Sequence, residues 1–398
     1  MIWKKVTFTE LIFKGLLLFP VFTVVQEIGV FEHFNKIWMA SVAGMLIIRF
    51  REYLFSGIQM LMLTLTVLIH LVAIHFTELP FFNLNMVFYL AFWVLLYVFF
   101  AKSKDSILEI MEESGAYIDG VLWIWTAVVA VSALLPACYT DGYFYSFAGH
   151  SFRLMPASLI IMALAMYMAV SREDKRYNLF LIMPLYGAFM GKSRTYFAVC
   201  LIFVVMYLYM QTREKRNFYF GMVPLLGLVL LLMSVSSIAD KIKATQYTDS
   251  SYYDFWGTVT NGRTVFWKWD LEAFFNLPLW RQFLGNGFNF VYDVNGAHME
   301  KIWAHNDVIN ILMNFGYIGL AIYFWAFWEM LRSFWPREAE IPGFVKLLFL
   351  GTVAFNSMLN MSYTYLCAMI AYPLFLCVIS AKYETAEEEG CEELWEIC

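Results

Sequence analysis

Apolar runs long enough to bridge a lipid bilayer recur along almost the whole chain, and they leave few folds open to it. A helix needs roughly 20 mainly apolar residues to cross the hydrocarbon core, at 1.5 Å of rise per residue. By that ruler about twelve spans are expected, near 11–30, 37–50, 54–76, 84–101, 118–138, 154–171, 178–191, 194–212, 218–238, 305–330, 344–361 and 364–381. In hydrocarbon every backbone N–H and C=O must be bonded within the protein, so these runs are expected as helices. Composition agrees: the 398 residues are 61% hydrophobic and 15% charged, whereas soluble domains carry about a quarter charged residues. The expected fold class is all-α, a polytopic integral membrane protein.

Cations orient the spans. Lys4/Lys5, Arg49/Arg51, Lys102/Lys104, Arg172/Lys175/Arg176, Arg213/Lys215/Arg216 and Arg332/Arg337 fall on one side of this threading, and the short loops of the other side are nearly bare of Lys and Arg. The positive-inside rule then puts both termini in the cytoplasm. Lys4 and Lys5 precede a first span with no small-x-small cleavage pattern behind it, which reads as a retained signal anchor. The expected layout is one membrane domain over 1–381 and an acidic cytoplasmic tail over 382–398. Residues 105–117 carry Ile107, Ile110, Met111 and Ser114 on one helical face and acids on the other, as a short interfacial helix would.

The segment 239–304 is a large extracytoplasmic loop, too apolar for disorder and long enough to carry function. Residues 261–275 within it read as an amphipathic helix with Asn261 or Thr260 at its N-cap. Trp256, Trp267, Trp269, Trp280 and Trp303 either anchor the loop at the headgroup level or stack on sugar rings.

The six cysteines are scattered, with no Cys-x-x-Cys pair. His298 and His305 stand too far apart along a helix to share one zinc, and Asp293 and Glu300 complete no ligand spacing. No metal and no cofactor are expected. Neither a Walker A loop nor a Gly-x-Gly-x-x-Gly turn is present, and no nucleic-acid partner is expected.

The chemistry-bearing residues cluster at the outer boundary. His305, Asn306 and Asp307 open a span, where unpaired N–H groups and the positive dipole end suit an anion. A lone helix-end histidine solvated by water is the plainer reading of His305. Gly316 and Gly319, further along, are read as residues for close helix–helix contact. Arg194 and Lys192 in GKSRT, Arg263 at the start of the amphipathic stretch, and Arg153 in GHSFRLMP are cations where outer loops otherwise avoid them. Charges there either serve function or snorkel to headgroups.

Together these motifs resemble the O-antigen ligase and O-antigen polymerase superfamily of bacterial envelope glycosyltransferases. His305-Asn306, nine residues, Gly316, two residues and Gly319 match the family's His-(Asn/Ser/Gln)-x9-Gly-x-x-(Gly/Thr/Tyr) pattern. Gly262-Arg263 with Phe266-Trp267, LGNGFNF at 284–290 and GKSRT at 191–195 are similar to its upstream segments, although the Pro-Gly often found in the glycine-rich stretch is absent. The resemblance implies a GT-C-type helical fold in the bacterial cytoplasmic membrane. It implies metal-independent, inverting transfer of a glycan from a polyprenyl-pyrophosphate carrier to an acceptor hydroxyl. His305 and Asn306 would be catalytic; Arg194 and Arg263, with Lys192 and Arg153, would bind the pyrophosphate. Expected partners are the lipid-linked oligosaccharide, a glycan acceptor, membrane lipid, and a chain-length regulator and flippase. A polymerase of repeat units, a ligase acting on lipid A core, protein or cell-wall polymer, and a flippase of lipid-linked oligosaccharide all remain open.

Overall fold

The computed structural model describes residues 7–31, 34–53, 55–77, 86–212, 214–235, 260, 262–298, 301–335 and 340–384. Lys4, Lys5, Arg213, Trp256, Asn261, Glu300, Arg337 and the tail beyond residue 384 lie outside the described residues, as does 239–259.

Helices occupy the expected stretches. In chain order they are α1 (Phe8–Leu17), α2 (Phe19–Val24), α3 (Phe34–Phe50), α4 (Gly57–Phe76), α5 (Met86–Lys102), α6 (Lys104–Glu113), α7 (Gly115–Ala133), α8 (Ser151–Ser171), α9 (Ile182–Met190), α10 (Arg194–Gln211) and α11 (Lys215–Val235). The loop helices α12 (Arg263–Phe275), α13 (Leu279–Leu284) and α14 (Phe290–His298) follow, then α15 (Asp307–Phe334), α16 (Gly343–Asn360) and α17 (Leu366–Tyr383). One small antiparallel hairpin, β1 (Tyr139–Thr140) and β2 (Tyr143–Phe144), lies between α7 and α8. Among the described residues, seven helices are long and apolar enough to cross a membrane, with a shorter apolar stretch at Phe88–Lys102. The protein is an all-α membrane protein.

Where spans are broken, the cause is local. The first expected span splits at Leu18, because Pro20 opens the second helix and cannot donate to a carbonyl one turn back. The short 178–191 stretch begins as a 3-10 turn over Lys175–Leu181 before α9. Seven residues at about 2 Å and nine at about 1.5 Å reach roughly 28 Å, near the thickness of the hydrocarbon core. Ile107, Ile110, Met111 and Ser114 are buried along α6, the face expected for them. Lys382 continues α17 where a tail was expected to begin.

The centre of the bundle is α8 against α17. Of its most apolar window, α8 is 89% buried, whereas peripheral α4 is 22% buried and presents Ile58, Leu61, Val67 and Leu71 outward. Flat aromatic contacts join neighbouring helices: Phe203 stacks on Phe375 at 3.6 Å and Trp93 on Tyr323 at 4.4 Å. At one end, Lys104 pairs with Glu384 (2.6 Å), the Ser333 hydroxyl donates to Ala101 O (2.8 Å) and Gln59 Nε2 donates to Glu329 (3.0 Å). At the other end the last turns of α2, α4, α7 and α16 meet the first turns of α8, α10, α15 and α17, and α12–α14 fold against them. All the candidate site residues lie at that second end.

Candidate active site

Asn306 is the N-cap of α15: its Oδ1 accepts from Ile309 N (3.1 Å), and the residue is 4% exposed. Its side-chain oxygen is therefore committed to the helix start. Asp307, fully buried beside it, accepts from Ser362 Oγ (2.7 Å), Tyr323 OH (3.1 Å) and Tyr363 N (3.2 Å). These bonds tie the α15 start to the turn between α16 and α17, where Met361 is left-handed and receives a hydrogen bond from Asn310 Nδ2.

His305 is also left-handed, with φ 51, a conformation a non-glycine residue keeps only when its surroundings hold it. The preceding residue supplies the grip. Ala304 O accepts from Trp267 Nε1 (2.6 Å), and Ala304 N donates to Asn310 Oδ1 (3.3 Å). Trp267 is thus a strut from α12 to the His305 turn, a role outside both the anchoring and the sugar-stacking expectations. Trp269 instead stacks on His298 (4.7 Å) and Trp303 contacts Tyr292 (5.2 Å); Trp280 is half exposed.

Arg263 opens α12 after Gly262, whose φ of 84 makes the turn, and Thr260 Oγ1 accepts from Thr264 N (3.3 Å) beyond it. Gly262 is therefore the cap where Asn261 or Thr260 was expected. Arg194 opens α10 after Lys192, another left-handed residue. Both arginines are partly buried, and among the described residues no carboxylate pairs with either. Burial, then the charge of Arg194, pushes Arg263 down to about 10. Burial, then the charge of Arg263, pushes His305 down to about 4, leaving a neutral imidazole at pH 7. Tyr365 completes the group. Burial raises its phenol, and the guanidiniums of Arg263 and Arg153 both act against that rise.

Arg153 and Lys192 are differently placed. Arg153 Nη1 pairs with Glu27 (2.7 Å) and donates to Ala148 O (3.2 Å). Lys192 donates to Asp141 O (3.3 Å) and lies over the Tyr143 ring (4.5 Å). The charge of Arg263 thus acts on His305, and that of Arg194 on Arg263, whereas Arg153 and Lys192 are engaged with Glu27, Ala148, Asp141 and Tyr143.

The glycines do something other than expected. Gly316 does not sit in a regular helix packed on a neighbour: at φ 68 and ψ −167 it breaks α15. The break frees carbonyls, and the 285–287 turn supplies donors to them. Asn286 N and Gly287 N donate to Asn314 O (3.0 and 3.2 Å), and Asn286 Nδ2 donates to Met313 O (3.0 Å). A Cβ on Gly316 would meet Gln282 O at 2.5 Å, and one on Gly285 would meet Asn314 O at 2.2 Å. Close contact is the reason for both glycines, but between backbone and backbone. Gly319 makes room for Phe315 of its own helix, at 2.2 Å from a built Cβ.

Motif reading found the arginines and the histidine, but not Tyr365, the Asp307 hub or Asp270. Asp270 of α12 is fully buried, with Asn295 Nδ2 donating to it (3.4 Å), and burial lifts its carboxyl to about 8. An acid two turns after Arg263 on an otherwise aromatic face was its only signal. Among the described residues no three His, Cys, Asp or Glu side chains gather as metal ligands would. No family model matches the chain, and no curated protein matches it.

Proposed function

We propose that this protein polymerises polyprenyl-pyrophosphate-linked oligosaccharide repeat units on the outer face of a bacterial cytoplasmic membrane, by inverting glycosyl transfer on a GT-C-type fold of about twelve crossings. One observation carries the reading: Arg194 and Arg263 are partly buried, among the described residues no carboxylate pairs with either, and the charge of Arg194 acts on Arg263 as that of Arg263 acts on a neutral His305. Holding two guanidiniums together in a low-dielectric place is unfavourable unless an anion joins them. A lipid pyrophosphate is such an anion at a membrane boundary, and guanidinium matches its oxygens.

In the proposed step the acceptor hydroxyl oxygen attacks the anomeric carbon while the bond from that carbon to the pyrophosphate oxygen breaks. The bonding pair leaves with the lipid pyrophosphate, whose added negative charge Arg194 and Arg263 stabilise. The hydroxyl proton passes to His305. Bound pyrophosphate offsets the Arg263 charge, so the imidazole becomes a stronger base only when donor is present. Asn306 contributes by fixing the helix start, and Asp307 by locking it. Basic residues such as Arg49, Lys102, Lys104, Arg172 and Lys215 belong to the opposite end, which supports cytoplasmic termini and an outer-facing site.

The test is complementation of a deletion strain with Arg194→Ala, Arg263→Ala and His305→Ala at matched protein levels, with carrier-linked and finally attached glycans separated by gel. Each change should lower long-chain product by about 10²-fold or more, leaving single repeat units on the final acceptor. Long chains stranded on the carrier would reassign the protein as a ligase. Repeat units confined to the cytoplasmic face would reassign it as a flippase. Wild-type ladders in all three variants would remove the site altogether.

A further inference from the structure

Tyr365 also lines a cavity of about 370 Å³ between α3, α8 and the start of α17, within the size range of small-molecule sites. Two cations line it: Lys36, exposed in the first turn of α3, and Arg153. Thr364, Tyr365 and Tyr89 add hydroxyls, and the remaining wall includes Met39, Pro156 and Leu366. Among the described residues no carboxylate pairs with Lys36. A lysine at this end is an exception to the charge asymmetry of the chain. On α3 itself, Ile37, Ile47 and Ile48 are exposed, each by half or more, so the cavity is walled on one side by a helix with an apolar outer face. Such a wall suits a ligand whose anionic head enters the cavity while its chain stays in the bilayer.

Tyr365 lines this cavity together with Arg153, whereas Arg263, whose guanidinium also acts on its phenol, is not among the lining residues. We infer that Tyr365 divides two pyrophosphate sites, and that the cavity bounded by Lys36 and Arg153 takes the carrier end of a second lipid-linked saccharide, the acceptor. This rests on the proposed polymerase reading, in which both substrates are lipid-linked. The acceptor saccharide then arches over Tyr365 to bring its terminal hydroxyl to His305, while the donor pyrophosphate rests on Arg194 and Arg263. Glu27 holds Arg153 in place: the pair is 2.7 Å long, with the Arg153 and Glu27 side chains 43% and 52% exposed. An ion pair so exposed is weak, and an incoming pyrophosphate competes with the Glu27 carboxylate for Arg153. Glu27 is therefore a brake on the second site.

The experiment counts undecaprenyl pyrophosphate molecules bound to the purified full-length protein by native mass spectrometry across a titration. Two molecules are expected on the wild type. Arg153→Ala and Lys36→Gln should each weaken the second binding step by tenfold or more and leave the first intact. Glu27→Gln should tighten the second step about threefold, an effect of opposite sign that a folding defect does not produce. Arg263→Ala should lose the other molecule and keep this one. A single bound molecule, lost with Arg263→Ala and indifferent to Arg153→Ala, overturns the second site while the proposed function stands. Displacement of the second molecule by excess phosphatidylglycerol would also overturn it, making the cavity a phospholipid-headgroup site. If Arg263→Ala changes no binding step, the proposed function falls independently of the second cavity.

Discussion

Two single residues of the loop region titrate in opposite senses, which makes the pH dependence of stability a local probe. His305 goes from an ordinary 6.5 to about 4 on folding, so its contribution is complete above pH 6.5 and is lost as pH falls towards 4. Asp270 goes from 3.8 to about 8, so the folded state loses stability as pH rises through that window. Each uncompensated group gives a slope of up to about 1.4 kcal/mol per pH unit. Between pH 4 and 6.5 these two slopes oppose; from 6.5 to 8 only Asp270 of the pair titrates. Each contribution is therefore read as a difference between variant and wild type. Relative to wild type, the thermal midpoint of Asp270→Asn should gain steadily as pH rises from 4 to 8, and that of His305→Gln should lose its advantage at acid pH between 4 and 6.5. An Asp270→Asn difference that does not change between pH 4 and 8 would contradict the burial argument for Asp270. At this scale the sequence was legible in the identity of the cations and the histidine, because a charge near hydrocarbon is conspicuous by itself. It was not legible in partnership. The donors that reach Asp307 from outside its helix, Ser362 and Tyr363, belong to a separate turn that only folding brings near.

Among the elements, α15 departs most from its expected form, and the reason lies thirty residues upstream. A Gly-x-x-Gly pair in an apolar run normally signals smooth helix contact. Here the donors of Asn286 and Gly287 stabilise a broken ladder, and no periodicity within 305–330 could report them. The break separates the short first part of α15, which carries the His305 turn, from the long remainder. Gly316→Ala would impose a Cβ at φ 68 and press it against Gln282 O and Phe283 O, both at 2.5 Å. Left-handed strain alone costs on the order of 1–3 kcal/mol. The variant should lose thermal stability, and its glycan ladder should shorten, because the α13–α15 contact also positions the site. Gly351→Ala, where nothing lies within 4 Å on exposed α16, is the matched control and should leave both measurements unchanged. Equal losses in the two variants would mean that α15 tolerates the break being rebuilt.

For the whole molecule the governing feature is the difference between its ends. Hydropathy located the helices well, because desolvation of the backbone leaves a span little choice but to be helical. It overstated their uniformity: α2 and α9 are short, and among the described residues seven helices meet the length and hydropathy of a full crossing. Length alone cannot show which apolar runs are completed by a 3-10 turn or interrupted at a proline. The ends, by contrast, were separable from charge. Lys102, Lys104, Arg172 and Lys175 lie at the end opposite His305, while the β1–β2 hairpin, Lys192 and Arg153 lie at the same end as His305. If the basic end faces the cytoplasm, Thr140→Cys at the hairpin should react with a membrane-impermeant maleimide in intact cells. Lys175→Cys, equally exposed at the other end, should react only after permeabilisation. The four described native cysteines are buried and should stay silent, with Cys391 and Cys398 replaced by serine in the background. The opposite labelling pattern would place Arg194, Arg263 and His305 in the cytoplasm. A site there could not receive a glycan already moved outward on its carrier, so the reaction would have to be sought among cytoplasmic transfers.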